Sequence, residues 1–454
     1  MRRSWCLVLV LAWAVAAGVL APAAPARAAA AETVWETARA VYPSDGDTVW
    51  VCLSADRRCT PSDRSRWTSV RLMSVQAMEL VHDGAQSPDA AAAGIAWVTR
   101  DQCHAPQAKA RLNELLFGTA AVTKPVLGQE VRLKSVRRAS SSYGRLRRTL
   151  EVKQGSSWVD VQQVLLREGH ALWMPLPASL GESTHNAGYR LASQQAAAAG
   201  KNLWDTDSCG AGPFQTARLV LDVNSDAEGD DTTNVNGEWV RVRNTGTTAV
   251  DLKAWSLRTA SWDVYRFTAT TRIAPGGSIT VHSGSAPARV AAGHYYVGSA
   301  QPFYQNADAA TGLGGGSYLF DPQGDLRSWQ IYPCATSCQK NPGLTITTVL
   351  HDPPGDDATN PNGERLTIRN SSHATIDLAP YLLVEGGSRL TFPPGALLEE
   401  GEAVEVRVGR GTDTRLLRYW GKSAGILANG GGAVRLTTYD GVPISCKAWK
   451  SGTC

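Results

Sequence analysis

The sequence predicts a multidomain protein, a small α+β barrel with helices packed on it followed by two all-β sandwiches, and three observations predict it. The chain has 454 residues, room for two to four domains at roughly 100–200 residues each. A stretch of 24 residues recurs without gaps: Gly229 to Leu252, GDDTTNVNGEWVRVRNTGTTAVDL, lines up on Gly355 to Leu378, GDDATNPNGERLTIRNSSHATIDL, with 12 positions identical. Helical periods occur only before residue 212, whereas the rest alternates apolar and polar residues between Asn, Gly and Pro turns.

The composition sets outer limits. A hydrophobic content of 43% with 15 Trp supplies real cores, and 19% charge is too low for a generally disordered chain. The net charge of +4 excludes a uniformly basic, histone-like binder, so any nucleic-acid contact has to come from a local concentration of charge.

Residues 1–28 read as a secretory signal, with Arg2 and Arg3 at the start, an apolar run from Leu7 to Leu20 and an A-x-A site at Ala26-Arg27-Ala28. No later stretch reaches ~18 apolar residues, so no membrane span is expected. The mature protein is expected to be secreted, extracellular and monomeric. Cys6 falls inside the apolar run, and eight cysteines remain, an even number that points to disulfides in an exported chain. They group locally as Cys52 with Cys59, Cys103 with Cys209, Cys334 with Cys338 and Cys446 with Cys454, and those four pairs are expected. A zinc site at Cys334-x3-Cys338 is disfavoured because no histidine lies nearby.

Residues 29–212 show strand patterns at Thr48 to Leu53, Ser69 to Val75, Val131 to Val136 and Leu146 to Lys153. Helical patterns follow at Pro106 to Phe117, Val159 to Glu168 and Tyr189 to Ala199, the last two stopped by Gly169 and Gly200. His104 and His170 stand at helix boundaries and are read as structural, and Trp173 and Trp204 as core. Gly210-Ala211-Gly212-Pro213 reads as a linker, which implies a first domain with a core of its own that folds and works alone.

The two repeats divide the remainder at 213–343 and 344–454. Strands such as Trp239-Val240-Arg241-Val242-Arg243 and Arg365-Leu366-Thr367-Ile368-Arg369 alternate in each, and each copy later carries a triple glycine and a cysteine pair. The pattern G-D-D-x-x-N-x-N-G-E, then a strand, Arg-Asn and Asp-Leu, resembles the lamin-tail domain, which implies an immunoglobulin-like sandwich. Asp230, Asp231, Asn234, Asn236 and Glu238 have calcium-ligand chemistry, but turn-capping by their side chains is the preferred reading.

The residues that carry chemistry lie in the first segment. Asp45-Gly46-Asp47-Thr48 opens a strand, and 24 residues after Asp47 comes Arg71 in Val70-Arg71-Leu72-Met73-Ser74-Val75-Gln76-Ala77-Met78-Glu79. Ser142-Tyr143-Gly144-Arg145 and Lys201-Asn202-Leu203-Trp204 follow. In this order they resemble the staphylococcal-nuclease (thermonuclease) family over residues 41–204. The resemblance implies an OB-fold barrel and a calcium-dependent phosphodiesterase cutting DNA and/or RNA with little sequence preference.

A phosphodiester resists attack because its oxygens are anionic and the transition state gathers more charge on them. Catalysis therefore needs cationic donors and a base for water. Carried over by position, Asp47 is a calcium ligand, Arg71 and Arg145 clamp the phosphate through their planar forks, and Glu79 activates water. Water would then expel the 5′ oxygen and leave 3′-phosphate ends. The chain departs from the family at Gln76, where an aspartate is usual, and at Ala77-Met78, where Thr-Pro is usual. A glutamine offers calcium an oxygen without charge, so affinity falls unless Asp45, Glu79 or water compensates.

Charge distribution agrees. Residues 29–212 carry 21 basic and 18 acidic side chains, whereas 213–454 carry 21 and 23. Arg132, Lys134, Arg137, Arg138, Arg145, Arg147 and Arg148 lie together with no acid between 131 and 148. Such a patch, with Tyr143 for stacking, is expected to hold a nucleic-acid backbone without reading its sequence. The rival expectation is a non-catalytic extracellular binding or scaffold protein built on a degenerate barrel.

Overall fold

The computed structural model describes residues 34–80, 102–135, 141–175, 183–206, 214–308, 311–335, 341–373, 375–393, 396–438 and 441–454. The signal segment, the 210–213 linker, Arg137, Arg138, Cys209 and Cys338 lie outside the described residues.

Among the described residues nine strands and three α-helices make the first unit: β1 (Val34–Pro43), β2 (Thr48–Leu53), β3 (Thr68–Leu72), β4 (Val75–Gln76), β5 (Glu130–Ser135), β6 (Ser141–Ser142), β7 (Arg145–Gln154), β8 (Ser157–Asp160) and β9 (Leu172–Trp173), with α1 (Ala105–Phe117), α2 (Val161–Glu168) and α3 (Ser183–Ala198). The order β3-β2-β1-β5-β7 closes into a five-stranded barrel because β3 also pairs with β7, in parallel, at Val70↔Leu146 and Arg71↔Arg147. Alternation explains the interior: Val49 and Val51, Val70 and Leu72, Val131 and Leu133, Leu150 and Val152 all point in and are fully buried. Helix α2 starts on Asp160, whose carboxylate accepts the Gln163 N–H, and ends at Gly169 in the left-handed region.

Most expected strands and helices form within a few residues of their predicted bounds, but α3 starts at Ser183, six residues before Tyr189, and the strand expected at Ser69 to Val75 is broken into β3 and β4. Strands β1, β6, β8 and β9 are additions, and of these β1 is central, pairing with both β2 and β5. Its inward residues are Ala38 and Ala40, too small to mark a period-2 stripe in an alanine-rich stretch, and its register shifts between Ala40 and Tyr42. His104 and His170 are buried at helix boundaries, and burial pushes both imidazoles below their usual range, His170 to about 4.

The first sandwich contains β10 (Leu219–Asn224), β11 (Trp239–Asn244), β12 (Val250–Asp251), β13 (Ser256–Thr259), β14 (Val264–Arg266), β15 (Arg272–Ile273), β16 (Ser278–His282), β17 (His294–Tyr296), β18 (Gly315–Phe320) and β19 (Leu326–Tyr332). They form sheets β10-β11-β16-β17, β12-β15 and β14-β13-β18-β19. Residues 344–454 repeat that topology strand for strand, including the parallel edge pair, here Ala403–Arg407 with Leu417–Tyr419. The duplication in sequence is thus a duplication of fold.

The repeated acidic motif caps turns. Asp230 and Asp356 accept the N–H two residues on, from Thr232 and Ala358, each through Oδ1. Glu238 and its counterpart Glu364 are buried, and each receives two backbone N–H groups from a distant loop, Phe303 and Tyr304 in one copy, Ile426 and Leu427 in the other.

The expectation that the first unit keeps a separate core needs correction. The cluster that holds Val70, Leu112, Trp173 and Trp204 continues without a break into Ala260, Tyr318, Phe320, Leu326 and Ile331 of the first sandwich. Trp204 packs edge-on against Trp329 at 5.1 Å. Arg190 donates to Gly312 O at 2.8 Å, Gln194 to Ile331 O at 2.9 Å and Arg327 to Thr206 O at 3.0 Å. The sheet that a sandwich leaves outermost is here buried by the helical face of the barrel unit.

Two disulfides are described, Cys52–Cys59 and Cys446–Cys454, both as expected. Cys103 and Cys334 are also disulfide-bonded, and their expected partners fall outside the described residues. No helix among the described residues is long and apolar enough to cross a membrane.

Two outcomes are expected. A chain ending at 212 uncovers several large apolar side chains, each worth about 1.5–3 kcal/mol when buried, so it should melt roughly 10 °C or more below a chain ending at 343. Equal melting temperatures by circular dichroism would contradict the shared core. Burial raises the Glu238 carboxyl to about 7 in the fold, above its ordinary 4.5. The folded state therefore binds the proton more tightly, so this group's contribution is full below about pH 4.5 and is lost as pH rises through about 7. Between pH 5 and 7 the stability of the parent relative to Glu238→Gln should fall, by on the order of 1–3 kcal/mol, in chemical unfolding curves.

Candidate active site

The site begins at the turn between β1 and β2. Ser44 donates to Thr48 O at 2.9 Å, and Asp45 Oδ1 accepts the Asp47 N–H at 2.9 Å, which turns the Asp47 side chain inward. Gly46 is required by crowding: a Cβ there would lie 2.6 Å from Ala108 Cβ on α1 and 2.7 Å from Ala77 Cβ.

Asp47 is 4% exposed. Its Oδ1 pairs with Arg71 Nη1 at 3.1 Å and accepts the Thr48 hydroxyl at 3.1 Å, and its Oδ2 accepts the Ala77 N–H at 2.7 Å. Burial outweighs the Arg71 charge and, helped by repulsion from Asp45 and Glu79, lifts the Asp47 carboxyl to about 7.

Arg71 carries the arrangement onward. It is set opposite Thr48 by the β2–β3 register, donates from Nη1 to Leu72 O at 2.9 Å, and from Nη2 to Gln76 Oε1 at 2.6 Å. Ser74, at φ 61°, reverses the chain so that Gln76 returns beside Arg71, where its pairing with Leu172 of β9 holds it. Gln76 Nε2 then donates to Glu79 Oε1 at 3.0 Å and to Ala77 O at 3.1 Å. The result is a hydrogen-bonded chain from Asp47 through Arg71 and Gln76 to Glu79.

This chain explains Gln76. Its amide accepts on one side and donates on the other, so it can link a guanidinium to a carboxylate. An aspartate would place a second anion beside Glu79 with nothing to donate.

Glu79 ends the chain at the surface, its N–H held by Gln102 Oε1 at 3.0 Å. The protein crowded around its carboxyl raises its pKa, with repulsion from Asp45, while Arg71, the Gln76 hydrogen bond and Arg145 oppose the rise. Arg145 starts β7 just after a two-residue turn in which Tyr143 and Gly144 have φ 50° and 75°, a geometry that a glycine makes accessible. Its Nε is buried without a hydrogen-bond partner among the described residues. Tyr143, at the tip, is 96% exposed.

The basic run is not one surface. Arg148 is corrected from its expected role: it is 1% exposed and forms an ion pair with Glu36 of β1, Nη2 to Oε2 at 3.0 Å, so it braces the barrel rather than facing a phosphate. Arg132 lies over the Trp158 ring at 4.0 Å, and Lys134 over Trp35 at 5.7 Å. Arg147 is half-buried, opposite Arg71 in the register.

Two participants carried no local signal. Gln102 reaches Glu79 from before α1, and Gly324, in the β18–β19 turn, lies against the Gln102 side chain. Arg258 of β13 is buried over Phe320 at 4.6 Å and Trp262 at 5.0 Å, and it feels the field of Glu79. Burial holds its guanidinium below the usual range, with Glu79 opposing. The first sandwich therefore brings a cation into the electrostatic surroundings of Glu79.

The donors implied for calcium are Asp47, Gln76 and Asp45. Both Asp47 oxygens and Gln76 Oε1 are bonded as above, Arg71 stands where a cation would meet them, and Asp45 Oδ1 holds the turn. Among the described residues no three His, Cys, Asp or Glu side chains gather closely enough to hold a metal. As arranged, these side chains do not fit a calcium ion.

Comparison with known proteins places one part of the chain. Residues 216–332 match the model of the Lamin Tail Domain family, which spans β10 to β19 and makes the first sandwich a lamin tail domain. No curated protein proved similar to the chain.

Gln76→Glu keeps size and loses the Nε2 donor, so it should release Glu79 from the chain. The expected readout is a Glu79 titration moved upward by the added anion, seen by carbon-13 NMR of labelled glutamate. An unmoved titration would show that Gln76 does not hold Glu79.

Proposed function

We propose that residues 29–212 form an OB-fold domain of the thermonuclease type that hydrolyses phosphodiester bonds of DNA and/or RNA with little sequence preference. The observation that carries this reading is the chain Asp47–Arg71–Gln76–Glu79, which ends in an exposed carboxyl of raised pKa in the field of Arg145. The closed barrel order, with its one parallel pair, supports the OB-fold. Both sandwiches are read as immunoglobulin-like, and the disulfides fit an exported protein.

In this reading Glu79 takes a proton from water as the oxygen attacks phosphorus, the bond to the 5′ oxygen breaks, that oxygen takes a proton from solvent, and 3′-phosphate and 5′-hydroxyl ends result. Arg145 donates to the phosphoryl oxygens as charge builds there. Arg71, committed to Asp47 and Gln76, acts mainly by its charge and by holding Gln76 in place.

A non-catalytic binding protein is the second reading, favoured by that same commitment of Arg71. Digestion of DNA and RNA by the full chain, in calcium or in chelator, separates the two and tests the implied calcium dependence. Glu79→Gln should slow single-turnover cleavage by roughly 10²-fold with binding little changed. Arg145→Lys keeps charge and loses the fork, so it should also cost roughly 10²-fold. Full-rate cleavage by Glu79→Gln would remove Glu79 from the role of base.

A further inference from the structure

The outer face of the barrel carries a groove beside the Asp45-Gly46-Asp47 turn that the proposed chemistry leaves unused. It has a volume of about 470 Å³, and Tyr42, Ser44, Trp50, Arg64, Trp67 and Lys109 line it. Its lining residues include two cations and no carboxylate. The Trp50 and Trp67 rings stand 6.3 Å apart at 55°, Arg64 lies 5.6 Å from the Trp50 centroid, and Lys109 lies 5.1 Å from that of Tyr42. Trp50 Nε1 donates to Ser44 Oγ at 2.9 Å, which ties its indole to the turn bearing Asp45 and Asp47.

The loop bearing Arg64 and Trp67 is held rigidly for a surface excursion. The Cys52–Cys59 disulfide closes its base, and Arg66 pairs with Asp56 at 3.0 Å and Asp63 at 3.1 Å. Asp63 accepts the Ser65 N–H, and Trp67 Nε1 donates to Thr60 O at 2.9 Å. These bonds use Arg66 and the acids of the loop and leave Arg64, which is exposed, pointed at the groove. Aromatic faces and cations fixed in advance take a ligand with little ordering cost.

We propose that this groove binds an unpaired stretch of nucleic acid, its bases stacking on Trp50, Trp67 and Tyr42 and its phosphates meeting Arg64 and Lys109. Only unstacked bases offer a face to such rings, so a single strand is preferred to a duplex. The assignment rests on the reading of the barrel as a domain acting on nucleic acid, and it adds the form of strand that enters.

The test is fluorescence anisotropy of labelled oligonucleotides with the full chain as Glu79→Gln, so that the strand survives. Thymidine and uridine oligomers should bind at least about 5-fold more tightly than an abasic strand of equal length or the matching duplex. Trp67→Ala should weaken strand binding by roughly 5-fold or more, and Trp67→Phe should retain most of it. Arg64→Ala should lower the slope of log affinity against log salt by about 0.7. Circular dichroism checks that Trp67→Ala is folded, and the Arg64 and Trp67→Phe arms decide if it is not. Equal binding of the abasic strand, preference for duplex, or full affinity in both Trp67→Ala and Arg64→Ala would overturn the proposal. Cleavage by the parent is scored separately: strand binding through the groove without cleavage sinks the hydrolase reading alone, and cleavage with unchanged variants sinks the groove alone.

Discussion

Asp47 and Arg71 are withdrawn from water together, and the site is arranged around that withdrawal. Burying an ion costs several kcal/mol even after the protein relaxes, so it persists only where geometry and additional hydrogen bonds offset the loss. Here the offset comes from three directions: the guanidinium at 3.1 Å, the Thr48 hydroxyl and the Ala77 N–H. Each of these pins a different segment to the turn, so the pair joins β2, β3 and the chain after β4. Arg71 also donates to Leu72 O and Gln76 Oε1, and that second bond orients the amide that holds Glu79. A residue that looks like a lost metal ligand is thereby the link between a buried charge and a surface carboxylate.

The lamin tail domain is part of that construction rather than an appendage. Its sheet closes the apolar face of the helices, burying Tyr318 and Phe320 in the same cluster as Trp173 and Trp204. Docking there brings Arg258 into the field of Glu79 and sets Gly324 against Gln102, the residue that holds the Glu79 backbone. Stability of the barrel unit and the electrostatics of its site are thus coupled through one interface, since both depend on the same packed sheet.

The two sandwiches show how a repeated motif keeps its structural job while the surroundings diverge. Glu238 and Glu364 each accept two N–H groups from a loop about 60 residues further on, closing one end of each sandwich. The exteriors differ: the first copy buries its sheet against the barrel unit, whereas the core of the second is confined to its own residues.

The sequence by itself determined the elements whose signals are local. Alternating valines and leucines marked β2, β3, β5 and β7, glycine stops marked the ends of α2 and α3, and the gapless repeat announced two sandwiches of one topology. The order of Asp47, Arg71, Gln76, Glu79 and Arg145 along the chain named the side chains that the fold gathers. Strand β1 stayed hidden because its inward side chains are alanines. The fate of each charge was decided only in three dimensions: Arg148 looks like its neighbours in sequence, yet it turns inward to Glu36, a partner 112 residues away. Gln102 comes to bond the Glu79 backbone, and Arg258 comes into the field of Glu79, by the same route, through packing between segments that no spacing rule connects. Periodicity reports which face of an element is apolar, but which charges meet depends on how those faces are stacked, and that is a property of the folded molecule alone.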